Sequence, residues 1–200
     1  IALPSVTTMR SQPVIAGETV FLGSKGAPLL ALDRTSGCVR WSFKTDAPVH
    51  SALTLDRTPD GVATLFFADE MATVYAVDAS GGTLRWRERV KWFPTSIISG
   101  PLAYHDGLLY APLSSFEVAA AGLPTHECCR SHGGIAALEA ATGKAVWRYD
   151  TTPHLTARAR ERAHRVVVTL ADRYAQPAQR QRLGSVLRAL ERGFPPARHL

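Results

Sequence analysis

No run of eighteen consecutive apolar residues occurs anywhere in the 200-residue chain, which excludes a membrane-spanning helix. There is no Cys-x-x-Cys-His, so this stretch attaches no c-type haem. A Gly-rich phosphate loop, a nucleophile elbow and a zinc-protease motif are likewise missing. Charge is sparse at 20% of residues, against 46% apolar content. That balance supplies a real core and excludes collagen-like, coiled-coil and wholly disordered chains. Ile1 is preceded by no Met and no basic-then-apolar leader. The expectation is therefore a leader already removed or a natural N-terminus lying upstream.

The net charge of +6 is unevenly placed. Residues 1–153 carry 13 basic and 14 acidic side chains, whereas residues 154–200 carry 10 Arg, no Lys and 3 acids. The body is therefore no polyanion binder, and no nucleic-acid partner is expected for it. The basicity belongs to the tail.

Against those absences stands a repeat. Ala31, Asp33, Gly37 and Trp41 recur as Ala76, Asp78, Gly82 and Trp86, and again as Ala137, Glu139, Gly143 and Trp147. Three of the four tryptophans share one phase. Trp41 and Trp86 are 45 residues apart and Trp86 and Trp147 are 61 apart, which leaves a 16-residue insertion in the third unit. Each segment reads as strand, tight turn, strand. The acid hydrogen-bonds the turn amides, the Gly takes positive φ, and the Trp stands on the returning strand to lie across a neighbouring unit. Upstream of each lies another apolar hairpin: Val14–Leu22 around Gly17-Glu18, Ser51–Phe67 around Pro59-Asp60-Gly61, and Leu102–Tyr110 around Asp106-Gly107. Four short strands in roughly 45 residues is the pattern of a β-propeller blade. A β-sandwich is the alternative, but a sandwich has no reason to repeat one turn at a fixed period. The fold class read from this pattern is all-β: about three four-stranded blades over residues 1–153. A ring needs about four to eight blades, so the chain is expected to be part of a longer one.

The insertion runs from about Phe116 to Ser131 and ends in His126-Glu127-Cys128-Cys129-Arg130-Ser131-His132, the densest cluster of reactive side chains. Cys128-Cys129 admits three readings from residue chemistry. One is a strained disulfide between neighbours, offering a flat surface to a planar ligand. Another is a metal site with His126 or His132, although the spacing fits no common zinc pattern. The third is a pair of ordinary thiols. Cys38 is expected to be a small buried apolar residue. His50 and His105 read as solvated residues beside turns, and Asp69-Glu70 as a turn pair. Arg85, Arg87 and Arg89 read as one solvated strand face.

The Ala-x-Asp-x-x-x-Gly-x-x-x-Trp hairpin resembles the blade motif of pyrroloquinoline quinone (PQQ) propellers, which include eight-bladed quinoprotein alcohol dehydrogenases and non-catalytic relatives. Ser36-Gly37-Cys38-Val39-Arg40-Trp41-Ser42-Phe43-Lys44 is similar to a blade of the polyvinyl-alcohol dehydrogenase branch. So is the stretch from Gly100-Pro101 through Leu113-Ser114-Ser115, Glu127-Cys128-Cys129 and Ala137 to Lys144. The likeness covers about residues 10–152. It implies a periplasmic quinoprotein oxidising secondary alcohols, with PQQ at the propeller axis and a Cys128–Cys129 disulfide against one face. It also implies calcium at the quinone and electrons passed to a cytochrome c. Cys128, Cys129, Arg130 and His132 are the cofactor-binding residues it suggests. Two positions depart from the family pattern. His132 stands where the family tends to place an Arg, with Arg130 two residues earlier, and the third repeat carries Glu139 instead of Asp. The blades expected to supply the catalytic base and calcium ligands lie outside the matched region, so neither is assigned. The alternative the resemblance leaves is a non-catalytic scaffold propeller of outer-membrane protein assembly.

Beyond Pro153 the repeat stops. Leu183, Val186, Leu187, Leu190 and Phe194 have helical spacing, so the Arg-rich tail at 154–200 is expected to be helical or disordered and to pack poorly on the propeller. Contact with nucleic acid or an anionic surface is a second reading of that tail. Arg without Lys, with the abrupt loss of the repeat, also suits an altered reading frame in a GC-rich coding sequence.

Overall fold

The structure is a computed structural model and describes residues 11–26, 28–120 and 131–151. The chain falls into two compact units, one holding the three sheets and the other, among its described residues, the base of the insertion.

Three antiparallel sheets form in chain order. The first comprises β1 (Val14–Ala16), β2 (Thr19–Leu22), β3 (Leu29–Asp33) and β4 (Val39–Phe43). The second comprises β5 (Thr54–Arg57), β6 (Ala63–Ala68), β7 (Thr73–Asp78) and β8 (Leu84–Arg89). In the third, β10 (Ala103–His105), β11 (Leu108–Ser115), β12 (Gly134–Glu139) and β13 (Ala145–Asp150) pair in sequence, and the two-residue β9 (Ser96–Ile97) adds to the far end of β11. Every sheet is a simple meander, as four-stranded blades require. One helical turn, α1 (Glu117–Ala120), belongs to the other unit. Among the described residues no helix is long and apolar enough to cross a membrane.

The repeated hairpins behave as their residues dictate. Asp33 Oδ1 accepts the amides of Thr35 at 3.1 Å and Ser36 at 2.8 Å, and Asp78 Oδ1 accepts that of Ser80 at 2.7 Å. These bonds fold the first two turns back before the glycine; in the third, Glu139 Oε2 accepts the Thr142 hydroxyl at 2.8 Å. Gly37, Gly82 and Gly143 follow at φ 70°, 74° and 77°, a region costly for any residue with a Cβ. The register then shifts by one residue in all three hairpins, between Ala31 and Leu32, Ala76 and Val77, and Ala137 and Leu138. This common irregularity aims the returning Trp off its own sheet.

Its target is the next blade. Trp41 Nε1 donates to the Ala79 carbonyl at 3.2 Å, and Trp86 Nε1 donates to that of Ala140 at 2.9 Å. The rings lie against Gly82 and Gly143, where an added Cβ would stand 2.7 Å and 2.5 Å away. Two apolar layers fill the gaps between successive sheets. Phe21, Leu29 and Ala31 meet Leu65, Phe67 and Tyr75 in one. Phe66, Val74 and Ala76 meet Leu109, Ala111 and Leu138 in the other. Stacked rings stiffen both, Phe67 on Tyr75 with centroids 5.1 Å apart and Phe66 on Tyr104 at 5.9 Å.

Several expectations need correction. Cys38 is exposed, because it sits in the outer turn before β4 begins. His50 is largely buried, its side chain 14% exposed, where a solvated residue was expected. Arg85 is not part of a solvated face: its guanidinium reaches Thr58 and Thr64 hydroxyls and the Asp60 carboxylate across the second sheet. Arg87, exposed, pairs with Asp46 at 2.8 Å. His105 is exposed as expected. The proposed helix at Leu183–Phe194 lies outside the described residues.

Candidate functional site

The meander order sorts the loops into two sets. The Gly–Trp hairpins share one end of the sheets with the β1–β2, β5–β6 and β10–β11 turns. At the other end lie the β2–β3 and β6–β7 turns, the connectors from one sheet to the next, and the departure point of the insertion between β11 and β12. That second end carries the Asp69, Glu70 and His50 cluster and the point where the insertion departs, so it is the candidate functional face.

Its best-built part is the β6–β7 turn. Asp69 is fully buried and accepts three hydrogen bonds, from the amides of Met71 and Thr73 and the hydroxyl of Tyr75, each at 2.9 Å. Tyr75 accepts in turn from the Asp46 amide at 3.3 Å. Burial, reinforced by the Asp69 carboxylate, pushes the phenol up to about 12. Ala72, a non-glycine at φ 58°, closes the turn, with its carbonyl accepting from Val90 N at 3.0 Å. The connector from β4 is laced onto this turn: Glu70 N donates to the Pro48 carbonyl at 2.9 Å, and Val49 bridges to Asp69. His50 Nδ1 lies 2.7 Å from Glu70 Oε1, and His50 Nε2 is buried without a hydrogen-bond partner among the described residues. The sequence marked Asp69-Glu70 as a turn pair but could not show that Tyr75, six residues on, and Asp46 complete a network.

The connector from β8 forms a second feature. Arg89, Lys91, Trp92, Phe93 and Pro94 line an open recess of about 350 Å³. Trp92 packs against Gly134, and Arg148 lies over its ring at 5.2 Å. Arg89 and Lys91 make the recess basic. The recess lies at the end of β8, the last strand of its sheet, and among the described residues nothing joins it to the insertion. It is therefore not assigned as a cofactor pocket.

The base of the insertion is the third feature. Glu117 is buried, and its Oε2 accepts the amide of Ser131 at 2.8 Å together with the Ser131 hydroxyl. One carboxylate thus holds both ends of the Cys-Cys segment together. Sequence reading gave Glu117 no role, since its partner is fourteen residues away. Cys128, Cys129 and Arg130, and His126 with them, lie outside the described residues; His132 is half-buried. Among the described residues no three His, Cys, Asp or Glu gather as a metal site, so they do not fit calcium and no step is routed through it.

Comparison with known proteins gives these features a context. A family model described as outer membrane protein assembly factor BamB, of the PQQ-repeat class, matches residues 4–121 and again 59–189. The chain belongs to the PQQ-propeller family. The two overlapping matches express the internal repeat, and the second runs past the last described strand. Polyvinylalcohol dehydrogenase from Sphingopyxis sp. (strain 113P3) is 34% identical over 144 residues, and that from Pseudomonas sp. is 31% identical over the same length. Each match takes in 70% of this chain, which spans 22% of the relative's length. Among solved structures, the quinohemoprotein alcohol dehydrogenase from Comamonas testosteroni aligns at TM-score 0.54 with 18% identity, over 80% of this chain and 24% of that one. A europium-containing methanol dehydrogenase aligns at TM-score 0.54 with 17% identity, over 74% and 26%. These structures establish the PQQ-propeller fold; the chain is a partial ring.

Proposed function

We propose that this chain is part of a periplasmic PQQ-dependent alcohol dehydrogenase that oxidises secondary alcohols of the polyvinyl-alcohol type and passes electrons to a cytochrome c. The observation that carries the reading is 34% identity over 144 residues to a protein named polyvinylalcohol dehydrogenase. When bound, PQQ accepts the two electrons and two protons released as the alcohol becomes a ketone. In this reading Cys128 and Cys129 form a disulfide against the cofactor, and Arg130 and His132 meet its carboxylates. The buried Glu117–Ser131 link supports it, because it ties down the ends of the segment that must present those residues. Calcium ligands and the catalytic base are assigned to blades outside this chain. The domain reading is likewise a proposal: 1–153 as blades and 154–200 as a non-propeller tail.

The family model's description favours a second reading, a non-catalytic propeller that scaffolds outer-membrane protein assembly. Adjacent cysteines argue against it, since a scaffold has no use for a strained ring. The deciding experiment adds PQQ and calcium to the full-length parent and follows dye reduction with a secondary alcohol. Cofactor-dependent reduction is expected, and its absence defeats the enzyme reading.

A further inference from the structure

The repeat gives each residue of the junction between the first two sheets a counterpart at the junction between the second and third. Counted from the repeat tryptophans, Asp46 (five after Trp41) corresponds to Lys91 (five after Trp86). Arg87 (one after Trp86) corresponds in the same way to Arg148 (one after Trp147). At the first junction these positions hold an ion pair, with Arg87 Nη1 2.8 Å from Asp46 Oδ2. At the second junction Lys91 stands where the acid would be. The Arg148 guanidinium lies instead over the ring of Trp92, 5.2 Å from its centroid.

That exchange leaves a local surplus of positive charge. Arg34, Arg40, Arg85 and Arg87 each lie against a carboxylate. Arg89, Lys91 and Arg148 have none among the described residues. Arg89 and Lys91 line the open recess of about 350 Å³, together with Trp92 and Pro94. Its aromatic wall is fixed, because Trp92 lies on Gly134, where any Cβ would strike the ring. A further blade packed on the Trp147 side of β13 would not supply the missing acid. Side chains alternate along a strand, so Arg148 occupies the opposite face from Trp147.

We propose that this recess docks an acidic segment of a partner protein. One carboxylate side chain of that segment takes the place that Asp46 holds at the first junction, and an aromatic neighbour lies against Trp92 and Pro94. The three cations supply the charge complementarity. Two observations favour a peptide over other anions. Arg89 and Arg148 are exposed and the recess is open, so solvent screens a lone small anion and leaves it weakly held. Residues 1–153 carry 13 basic and 14 acidic side chains, a balance that does not attract a long polyanion such as a nucleic acid. The inference does not depend on the enzymatic reading, and its readout involves no cofactor.

Fluorescence anisotropy tests it, with the full-length parent protein and a fluorescein-labelled peptide of glutamates around a central phenylalanine. Saturable binding that weakens as salt is added is expected. Lys91→Asp rebuilds the acid of the first junction beside Arg148 and is expected to weaken the peptide about tenfold. Arg148→Ser installs the residue found at the corresponding position of the first sheet, Ser42, and is expected to cost about threefold. Being an exposed strand position, it stands in for Lys91→Asp should that variant fail to fold. Lys44→Asp makes the same change of charge at the first-sheet counterpart of Arg89 and is expected to stay within about twofold of wild type. Absence of saturable binding overturns the proposal. So does an equal loss in Lys44→Asp and Lys91→Asp, which would mean that binding follows net charge alone. Inorganic phosphate that displaces the peptide at equal concentration, or a single-stranded oligonucleotide that binds more tightly than the peptide, also overturns it.

Discussion

The indole of Trp86 donates to the Ala140 carbonyl at 2.9 Å while its ring lies on Gly143, so one side chain of the second sheet clamps the turn of the third. Both halves of that contact are sensitive to a single atom. A methyl group at Gly143 would stand 2.5 Å from the Trp86 ring, at a φ of 77° that disfavours any side chain. Gly143→Ala is expected to cost about 2–4 kcal/mol by adding clash to backbone strain. Trp86→Phe keeps most of the apolar contact and loses the hydrogen bond, costing about 1–2 kcal/mol. Urea unfolding monitored by circular dichroism measures both. A Gly143→Ala protein as stable as wild type would contradict the clamp.

Asp69 is the other point where one residue holds several elements. Its carboxylate serves two turn amides and the Tyr75 hydroxyl inside a fully buried turn. Asp69→Ala leaves all three donors without a partner and is expected to cost about 3 kcal/mol or more. Tyr75→Phe removes the bond to Asp69 and the longer one from the Asp46 amide and keeps the ring stacked on Phe67, so about 1–3 kcal/mol is expected. The double mutant should cost less than the two single changes added together, with a coupling of about 1 kcal/mol. Strict additivity in the denaturation data would mean that the two groups do not act as one network.

The repeat was legible because its signals are local. Asp33 or Asp78, then Gly, then Trp are fixed by the geometry of one turn, and the structure returns that turn with φ near 70° each time. The hairpins around Gly17, Gly61 and Gly107 were legible for the same reason. What escaped was set by distant partners. Arg85 alternates with Trp86 and Glu88 as a solvated row would, but Asp60 and two threonines draw its guanidinium in. His50 reads as a turn residue until Glu70 comes beside it. Cys38 failed for the opposite reason: its residue type suggested burial, whereas the residue belongs to an outer turn. Glu117 gave no signal, since only the closed insertion brings Ser131 to it.

Stability should fall at both ends of the pH range, by separate groups. Arg40 first and Ser36 next hold Asp33 far below the ordinary carboxylate range, Thr58 lowers Asp60, and Ser80 lowers Asp78. A depressed folded pKa stabilises above the unfolded value, near 3.8, and that contribution is lost as pH falls through the folded value. Asp33→Asn with Asp78→Asn should therefore flatten the loss of stability below pH about 4. Tyr75 has the opposite sign. Its phenol is raised from 10.0 to about 12, so its contribution is intact below 10 and disappears as pH climbs toward 12. Two pKa units correspond to roughly 2–3 kcal/mol. Denaturant midpoints collected against pH should show that alkaline limb in the wild type and lose it in Tyr75→Phe.

Glu117 offers the most direct handle on the insertion. Its buried carboxylate accepts both the amide and the hydroxyl of Ser131. Losing a hydrogen bond to a charged acceptor costs about 1.5–3 kcal/mol, which corresponds to roughly a ten- to hundredfold change in a local opening equilibrium. Amide hydrogen exchange at Ser131 should accelerate by that factor in Glu117→Ala. Glu117→Gln retains an acceptor oxygen without the charge and should fall between the two. Ser131→Ala keeps the amide bond and should change exchange at residue 131 far less than Glu117→Ala does. Equal exchange rates in wild type and Glu117→Ala would show that the carboxylate does not hold the two ends of the insertion together.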